Sequence, residues 1–250
     1  GGLMRRLFFP FSGTEFYLEG ESFHHWIRVN RAQVGGEIEI SDEEGKVVVA
    51  KLEVIEENRG LLQVVREVEL SPQSEVKIIL GIGLLKGEKM DWLIQKAVEI
   101  GVAEIWPLEL DHSIVKLDSK KSLERQKRWQ KIALEASQQC GGRLIPIVKI
   151  PQKLSVAMEK FSLAGVVWVP HERGSDNSFK KELRTREKVT QNLIVIGPEG
   201  GFSEKETGFL EALSNSSLIT LGERILRAET AALVSLSLLR YEWDDLGGQE

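Results

Sequence analysis

The pattern of apolar residues changes once along the chain, around Ser71-Pro72-Gln73-Ser74, and that change governs what each side can fold into. Before it, runs rich in Val, Ile and Leu lie at Glu37 to Ile40, Lys46 to Ile55 and Leu61 to Val68. The turn formers Gly35-Gly36, Asp42 to Gly45 and Asn58-Arg59-Gly60 separate them. Short β-rich runs between such breakers predict strands, and together they predict a small antiparallel barrel or sandwich. After the change, Val76 to Gly83 reads as a buried strand. Met90, Leu93, Ile94, Ala97 and Val98 then recur at helical spacing up to Gly101.

From there strands and helices alternate. Strands are predicted at Glu104 to Leu108, Gly165 to Val169, Asn192 to Gly197 and Ser217 to Leu221. Helices are predicted at Ser119 to Cys140, Phe179 to Lys188, from Ser203 to Leu213 and at Ala228 to Tyr241. Ser203 with Glu206 three positions on is a capping box, which starts the third of these. Such alternation predicts an α/β fold, a mostly parallel sheet with helices on both faces. The domain boundary is set at residue 73, giving domains 1–73 and 74–250. From Ala231 to Leu239 only Ser235 and Ser237 interrupt Ala, Leu and Val, so this helix is expected to be buried on more than one side, by its own domain or by a second subunit.

Composition excludes several classes. The longest apolar runs fall well short of a membrane span, and the start, up to Arg5-Arg6, lacks the pattern of a secretory signal, with Gly1 to Leu3 read as a processing remnant. One Cys, Cys140, excludes an intramolecular disulfide framework, and with 4 His it leaves no cysteine-rich zinc pattern. A reducing, cytoplasmic setting follows. Net charge is -5, which taken alone weighs against a nucleic-acid partner. The average hides polarity: residues 37–75 carry 4 basic and 11 acidic side chains, whereas residues 112–153 carry 10 basic and 3 acidic. The second run is a candidate phosphate-facing surface, with a solvated helix face as its alternative.

Two segments could carry chemistry. Gly197-Pro198-Glu199-Gly200-Gly201-Phe202-Ser203 lies between a predicted strand and a capped helix, where glycines let backbone amides approach a ligand. No Lys-Ser or Lys-Thr pair ends it, so it is not a phosphate P-loop, and Glu199 suits a cationic or hydroxyl-bearing ligand. A tight turn is the alternative. Leu221 to Ala231 again joins a strand end to a helix and gathers Glu223, Arg224, Arg227, Glu229 and Thr230, which act on a ligand or form a structural ion-pair network. Gly81 to Gly87 approaches the dinucleotide fingerprint with one residue too many before its last glycine. His24-His25 reads as a surface pair, and the six Trp as packing anchors.

These residues carry a resemblance. Gly197 to Ser203 and Leu221 to Leu233, preceded by Leu84 to Leu108 and Arg128 to Gly141, resemble the RsmE family, the small-subunit ribosomal RNA uridine N3 methyltransferases of the SPOUT superfamily. Met4 to Pro10 and His24 to Ile40 resemble the family's RNA-binding domain more loosely. The resemblance implies an N-terminal PUA-like β-barrel and a SPOUT α/β domain with a C-terminal trefoil knot. It also implies S-adenosylmethionine held in the knot, no metal, and a homodimer. Gly197, Glu199, Gly200 and Gly201 would form one cofactor loop, Leu221, Gly222, Ile225, Leu226, Arg227 and Thr230 another, and Val169 with Pro170 a third wall. His112-Ser113, Gly141-Gly142 and Asn30-Arg31 depart from the family's usual Arg-Ser, Gly-Arg and Leu-Arg.

For the chemistry, Glu229 is expected to take the uracil N3 proton and Arg227 to stabilise the developing anion, a mutual ion pair being the alternative for both. Arg5, Arg6, Arg28, Arg31, Lys86, Lys120, Lys121, Arg125, Arg128 and Arg143 are the expected RNA contacts. The expected partner is small-subunit ribosomal RNA within the assembled or nearly assembled particle. Two other readings stay open: a non-catalytic RNA-binding or ribosome-assembly protein that keeps the knot, and a nicotinamide oxidoreductase resting on Gly81 to Gly87.

Overall fold

The computed structural model describes residues 5–248. The Gly1 to Leu3 start and Met4 lie outside the described residues. The chain forms two compact units. One reaches to Gln73 and also takes in Leu134–Ile145; the other holds Ser74–Ala133 and the chain from Pro146 onward.

In the first unit, β1 (Arg6–Phe8), β2 (Glu15–Glu19), β3 (Glu37–Ser41), β4 (Val47–Ile55) and β5 (Arg59–Glu67) form one sheet, in the order β1-β3-β4-β5-β2. Register shifts between Val49 and Ala50 and between Leu52 and Val54 interrupt the β4–β5 ladder. Irregularities of this kind bend a strand, and the sheet curls into a half-barrel. The expected antiparallel barrel or sandwich is therefore an open sheet with β1 and β2 at its edges, and β1 runs parallel to β3. Closure needs the edge strands to pair, and these two do not. Between β2 and β3, α1 (Gly20–Phe23) continues into a π-helical turn at His24–Val29, which presents Phe23, Trp26 and Ile27 to a core of Leu7, Leu18, Ile40, Leu52 and Leu62.

The second unit runs β6 (Lys77–Gly83), α2 (Glu88–Ile100), β7 (Glu104–Glu109), α3 (Ser119–Cys140), β8 (Ile147–Val148), β9 (Gln152–Lys153), α4 (Leu154–Lys160), β10 (Val166–Pro170), α5 (Phe179–Thr185), β11 (Gln191–Ile196), α6 (Glu204–Glu211), β12 (Ser216–Ile219) and α7 (Ala228–Trp243). The strand order is β12-β10-β11-β6-β7-β8, β9 also pairs with β7, and every pairing is parallel. Both faces are covered, as the alternation predicts. Val167, Val169, Leu193 and Val195 pack with Leu154, Ala157 and Leu210 of α4 and α6. Strand side chains alternate between faces, so Trp168 points the other way and meets Phe179 and Trp243 at ring centroid distances of 5.1 and 5.8 Å. Trp168 is fully buried and donates Nε1–H to Asn192 Oδ1 at 3.0 Å, which satisfies its one polar atom and pins β10 to β11.

Two features depart from the pattern along the sequence. The last residues of α3 and the loop after it belong to the first unit, where Arg6 Nη1 donates to the Gly141 and Gly142 carbonyls at 2.8 and 2.7 Å and Ser41 Oγ to the Arg143 carbonyl at 2.9 Å. The nearly all-apolar α7 buries one stripe, Ala232, Ser235, Leu236, Leu239 and Trp243, against α2, α5, β6 and β11. Leu238 and Tyr241 on another face are exposed.

Candidate active site

The strand order does what spacing along the sequence cannot. In the sheet β12, β10 and β11 are adjacent and parallel, with Pro170 opposite Ile219 and Trp168 opposite Ile194. Their carboxyl ends open on one edge, where ligands of such sheets bind. Three segments far apart in sequence leave from that edge: the turn after Pro170, the Gly197–Ser203 loop and the Leu221–Thr230 segment.

The Gly197–Ser203 loop is fastened on several sides. Gly201 N–H closes a turn onto the Pro198 carbonyl at 2.9 Å, at a φ of 73° that favours glycine. Glu199 Oε1 accepts the Lys86 N–H at 3.2 Å and lies 3.8 Å from Lys89 Nζ. Ser203 caps α6 through the full capping box: its Oγ accepts the Glu206 N–H at 3.2 Å, and Glu206 Oε1 accepts the Ser203 N–H at 2.9 Å. Ser203 Oγ in turn donates to Asp111 Oδ2 at 2.6 Å, and the Asp111 N–H donates to Glu206 Oε2 at 3.0 Å. His112 Nδ1 sits 3.1 Å from the Gly200 carbonyl. The histidine that stands where arginine is usual thus helps hold this loop.

Close packing explains two glycines here. A Cβ on Gly83 would fall 2.7 Å from Pro198 N, and one on Gly200 would fall 3.1 Å from His112 Cβ. Within Gly81 to Gly87, Gly83 therefore admits Pro198 of the neighbouring loop, a packing role that accounts for it without a pyrophosphate. Beyond Pro170, His171 Nδ1 accepts the Arg173 N–H at 3.1 Å, which leaves Nε2 as the protonated nitrogen facing Thr207 Oγ1 at 3.4 Å. Its ring lies 6.2 Å from that of Phe202, joining the turn after Pro170 to the Gly197–Ser203 loop. Sequence reasoning passed over His171, Asp111 and Ser203's bond to it; the one available signal was a polar residue directly after the Val169-Pro170 strand end.

The Leu221–Thr230 segment is less bound. The Gly222 N–H donates to Thr220 Oγ1 at 3.1 Å, and Gly222 has a φ of 121°. Leu221 and Leu226 are half-buried, Gly222, Arg227 and Thr230 are exposed, and Ile225 is fully exposed. Arg227 occupies the N-cap of α7 without a side-chain cap. Among the described residues no ion pair joins Arg227 to Glu229, so the network expected as the alternative is absent. Glu229, in the first turn of α7, is half-buried; its Oε2 is fully buried and has no hydrogen-bond partner. Leaving a carboxylate oxygen out of water without a donor is costly, so this atom is set to receive one.

The expected RNA contacts divide by environment. In the first unit, Arg6 is buried, with Nε and Nη2 on Glu39 Oε2 at 3.1 and 2.7 Å and Nη1 on the two glycine carbonyls, so its donors are spent. Arg28 lies over the Phe23 ring and donates to the Glu57 carbonyl, and Arg143 donates to the Ser71 carbonyl. Arg5 and Arg31 are exposed, and Arg31 has a φ of 56°, a strained setting for a residue with a side chain. A Cβ on Gly142 would collide with Ser137 Oγ, which accounts for glycine at that departure. In the second unit, Lys86, Lys120, Lys121 and Arg125 are exposed. Arg128 is paired with Asp91 at 2.6 Å, and that hydrogen bond raises its pKa above the usual guanidinium value. His24 is exposed, and no group of three or more metal-ligating side chains occurs among the described residues.

Known proteins match this arrangement. A family model described as RNA methyltransferase domain matches residues 72–240. Fold and site together define that class. The ribosomal RNA small subunit methyltransferase E of Bacillus subtilis (strain 168) is 32% identical over 94% of this chain and 93% of its own, and that of Mesomycoplasma hyopneumoniae (strain 232) is 35% identical over 72% and 76%. A crystal structure of the Neisseria gonorrhoeae ribosomal RNA small subunit methyltransferase E, bound to S-adenosylmethionine, superposes with a TM-score of 0.86 at 28% identity, covering 96% of this chain and 98% of that one. A Legionella pneumophila protein in complex with the same cofactor gives 0.84 at 28%, over 95% and 97%. The chain belongs to the ribosomal RNA small subunit methyltransferase E family.

Proposed function

We propose that this chain is an S-adenosylmethionine-dependent methyltransferase that methylates N3 of a uridine in small-subunit ribosomal RNA. One observation carries the reading: adjacent strands bring the two motif loops and the Val169-Pro170 end to one edge; in the first turn of α7, after the second loop, Glu229 Oε2 is buried without a hydrogen-bond partner among the described residues. The residues present fit the cofactor. Gly197 and Gly200, without side chains, let a ligand approach the backbone closely; Glu199 offers a carboxylate to hydroxyl groups, and the half-buried Leu221 and Leu226 offer apolar surface. When bound, S-adenosylmethionine supplies a sulfonium-activated methyl group, and its transfer leaves S-adenosylhomocysteine and a released N3 proton.

The chain's own tasks are to hold the uracil and receive that proton. Glu229 accepts it on a carboxylate whose Oε2 is buried and has no donor among the described residues. Arg227, exposed at the N-terminus of α7, would stabilise the negative charge that develops on the uracil oxygens. Positioning two reactants in a near-attack geometry can supply about 7 to 11 kcal/mol of barrier reduction. The uridine reaches the site unpaired or flipped from its stack.

Several further properties belong to the same reading. The segment from β12 into α7 threads a trefoil knot of the SPOUT type. The exposed Leu238, Tyr241 and Ile225 are covered by a second copy in a homodimer. Residues 1–73 act as a PUA-like RNA-binding domain and 74–250 as the transferase domain. The exposed Lys120, Lys121 and Arg125, with Arg5, Arg31 and Lys86, contact phosphates, and the substrate is the assembled or nearly assembled small subunit. None of the described helices is long and apolar enough to cross a membrane.

The test supplies small subunits lacking the modification together with methyl-labelled cofactor. Label is expected on N3 of one uridine. Tight cofactor binding without label would leave a non-catalytic assembly protein. Replacing Lys120, Lys121 and Arg125 by Gln is expected to lower RNA affinity and flatten its salt dependence by about three units of slope, measured by binding titration across salt concentrations.

A further inference from the structure

Outside the cofactor edge, the second unit has a cavity of about 550 Å³. It opens beyond the carboxyl ends of β6 and β7, and its walls come from the loop at residues 109–117, the start of α4 and the first turns of α6. None of the residues at 169–171 or 221–230 lines it. It is therefore a separate space from the one assigned to the methyl donor, and the volume is that of a small-molecule pocket.

The lining has a definite chemistry. Leu84, Leu110 and Leu154, all buried, make an apolar floor, and Phe209 stands half-exposed at the rim. Ser113 is 4% exposed, and its Oγ is buried without a hydrogen-bond partner. A hydroxyl in that state is set to meet a ligand atom. Lys116, Lys153 and Lys205 supply three cations, of which only Lys116 has a protein acceptor among the described residues, the Leu110 carbonyl at 3.3 Å. Two of the three carboxylates are already engaged, Asp111 by Ser203 and Glu206 by two backbone N–H groups. Glu109 remains to accept from a ligand N–H or O–H.

An apolar floor with an aromatic edge, one hydroxyl, one open carboxylate and a surplus of lysines matches a nucleotide: base on the floor, its polar edge at Ser113 and Glu109, phosphate among the lysines. We propose that this cavity is an accessory subsite for one unpaired nucleotide of the RNA substrate, other than the nucleotide that is methylated. The inference rests on the RNA methyltransferase reading for the identity of the RNA. The same chemistry would also accept a free nucleoside monophosphate, and the experiment separates the two.

Full-length protein is compared as wild type, Ser113→Ala, the double variant Lys153→Gln/Lys205→Gln and the triple variant that adds Lys116→Gln. Methyl transfer to unmodified small-subunit RNA gives KM and kcat, calorimetry gives S-adenosylmethionine affinity, and photo-crosslinking with 4-thiouridine-containing RNA, followed by peptide mapping, locates the contact. The triple variant is expected to raise the RNA KM about tenfold, with kcat and cofactor affinity within about twofold. Wild type is expected to crosslink residues 109–117 or 205–209 to a nucleotide distinct from the methylated one. Lys153 and Lys205 are exposed, so the double variant, expected to move KM in the same direction, does not depend on a perturbed fold. An unchanged KM with no crosslink there, or a crosslink to the methylated nucleotide itself, overturns the proposal. Binding of uridine or adenosine monophosphate alone, with RNA KM unaffected by the variants, assigns the cavity to a free nucleotide and also overturns it. If wild type transfers no methyl group, the activity fails, while the crosslink still decides the subsite.

Discussion

The two loops that frame the cofactor edge are built in opposite ways. Gly197–Ser203 is fastened from three directions, by His112 on Gly200, by Asp111 on Ser203 and by the Lys86 backbone on Glu199. Leu221–Thr230 keeps Ile225 wholly in solvent, leaves Arg227 without an ion pair among the described residues, and buries Glu229 Oε2 with no donor. The first costs no reorganisation when a ligand arrives, because its geometry is already set. The second carries the proposed reactive groups, an exposed Arg227 and a Glu229 carboxylate oxygen without a donor. If the proposed roles hold, one loop holds and the other reacts, and single substitutions in the two should report on different quantities.

The largest expected effect lies in the open loop. Glu229→Gln keeps the size of the side chain and removes the base, so kcat for methyl transfer is expected to fall about 10²- to 10⁴-fold. Cofactor affinity measured by calorimetry stays within about threefold. Full activity at neutral pH would eliminate Glu229 as the base and erase the contrast. Against the fastened loop, at the end of β6, Gly83→Ala puts a Cβ 2.7 Å from Pro198 N. A loss of about 1–3 kcal/mol in urea-unfolding stability is expected, together with weaker cofactor binding as the loop shifts. Ser203→Ala removes the cap of α6 and the hold on Asp111, for about 0.5–2 kcal/mol by the same measurement. The smallest effect on stability is predicted for Ile225→Ser, within about 0.5 kcal/mol, although sedimentation is expected to show a weaker dimer. A strongly destabilised Ile225→Ser protein would mean that the open loop is packed more like the closed one.

Both loops were legible in the sequence, because glycines beside a strand end and a capping box are local signals. The Ser203–Glu206 box and the helix it starts follow from four consecutive residues. The partners that fasten the loop did not follow, since Asp111 meets Ser203 and Glu206 across more than ninety positions and nothing in the pattern around residue 111 announces it. The parallel sheet could be inferred from alternation, yet its strand order, which makes the edge, could not. The β4–β5 ladder with its two register shifts reads in sequence like any hairpin, and so an open, curled sheet was expected to be a barrel or sandwich. For α7, composition suggested burial on more than one side, by its own domain or by a second subunit; its own domain buries one stripe, and periodicity does not distinguish an exposed apolar side from a second core-facing one.

The return of Leu134–Ile145 into the first unit bears on how such a protein can be recombined. Arg6 finds two of its acceptors at Gly141 and Gly142, and Ser41 finds its acceptor at Arg143, all on a segment encoded some sixty codons beyond the first unit's other residues. A gene cut at residue 73 yields a β-sheet body missing those carbonyls, with a buried guanidinium left half-solvated. Grafting this body onto another transferase must carry both segments at once. The first unit is thus not a separable N-terminal module, and any exchange of it has to move two stretches of sequence together.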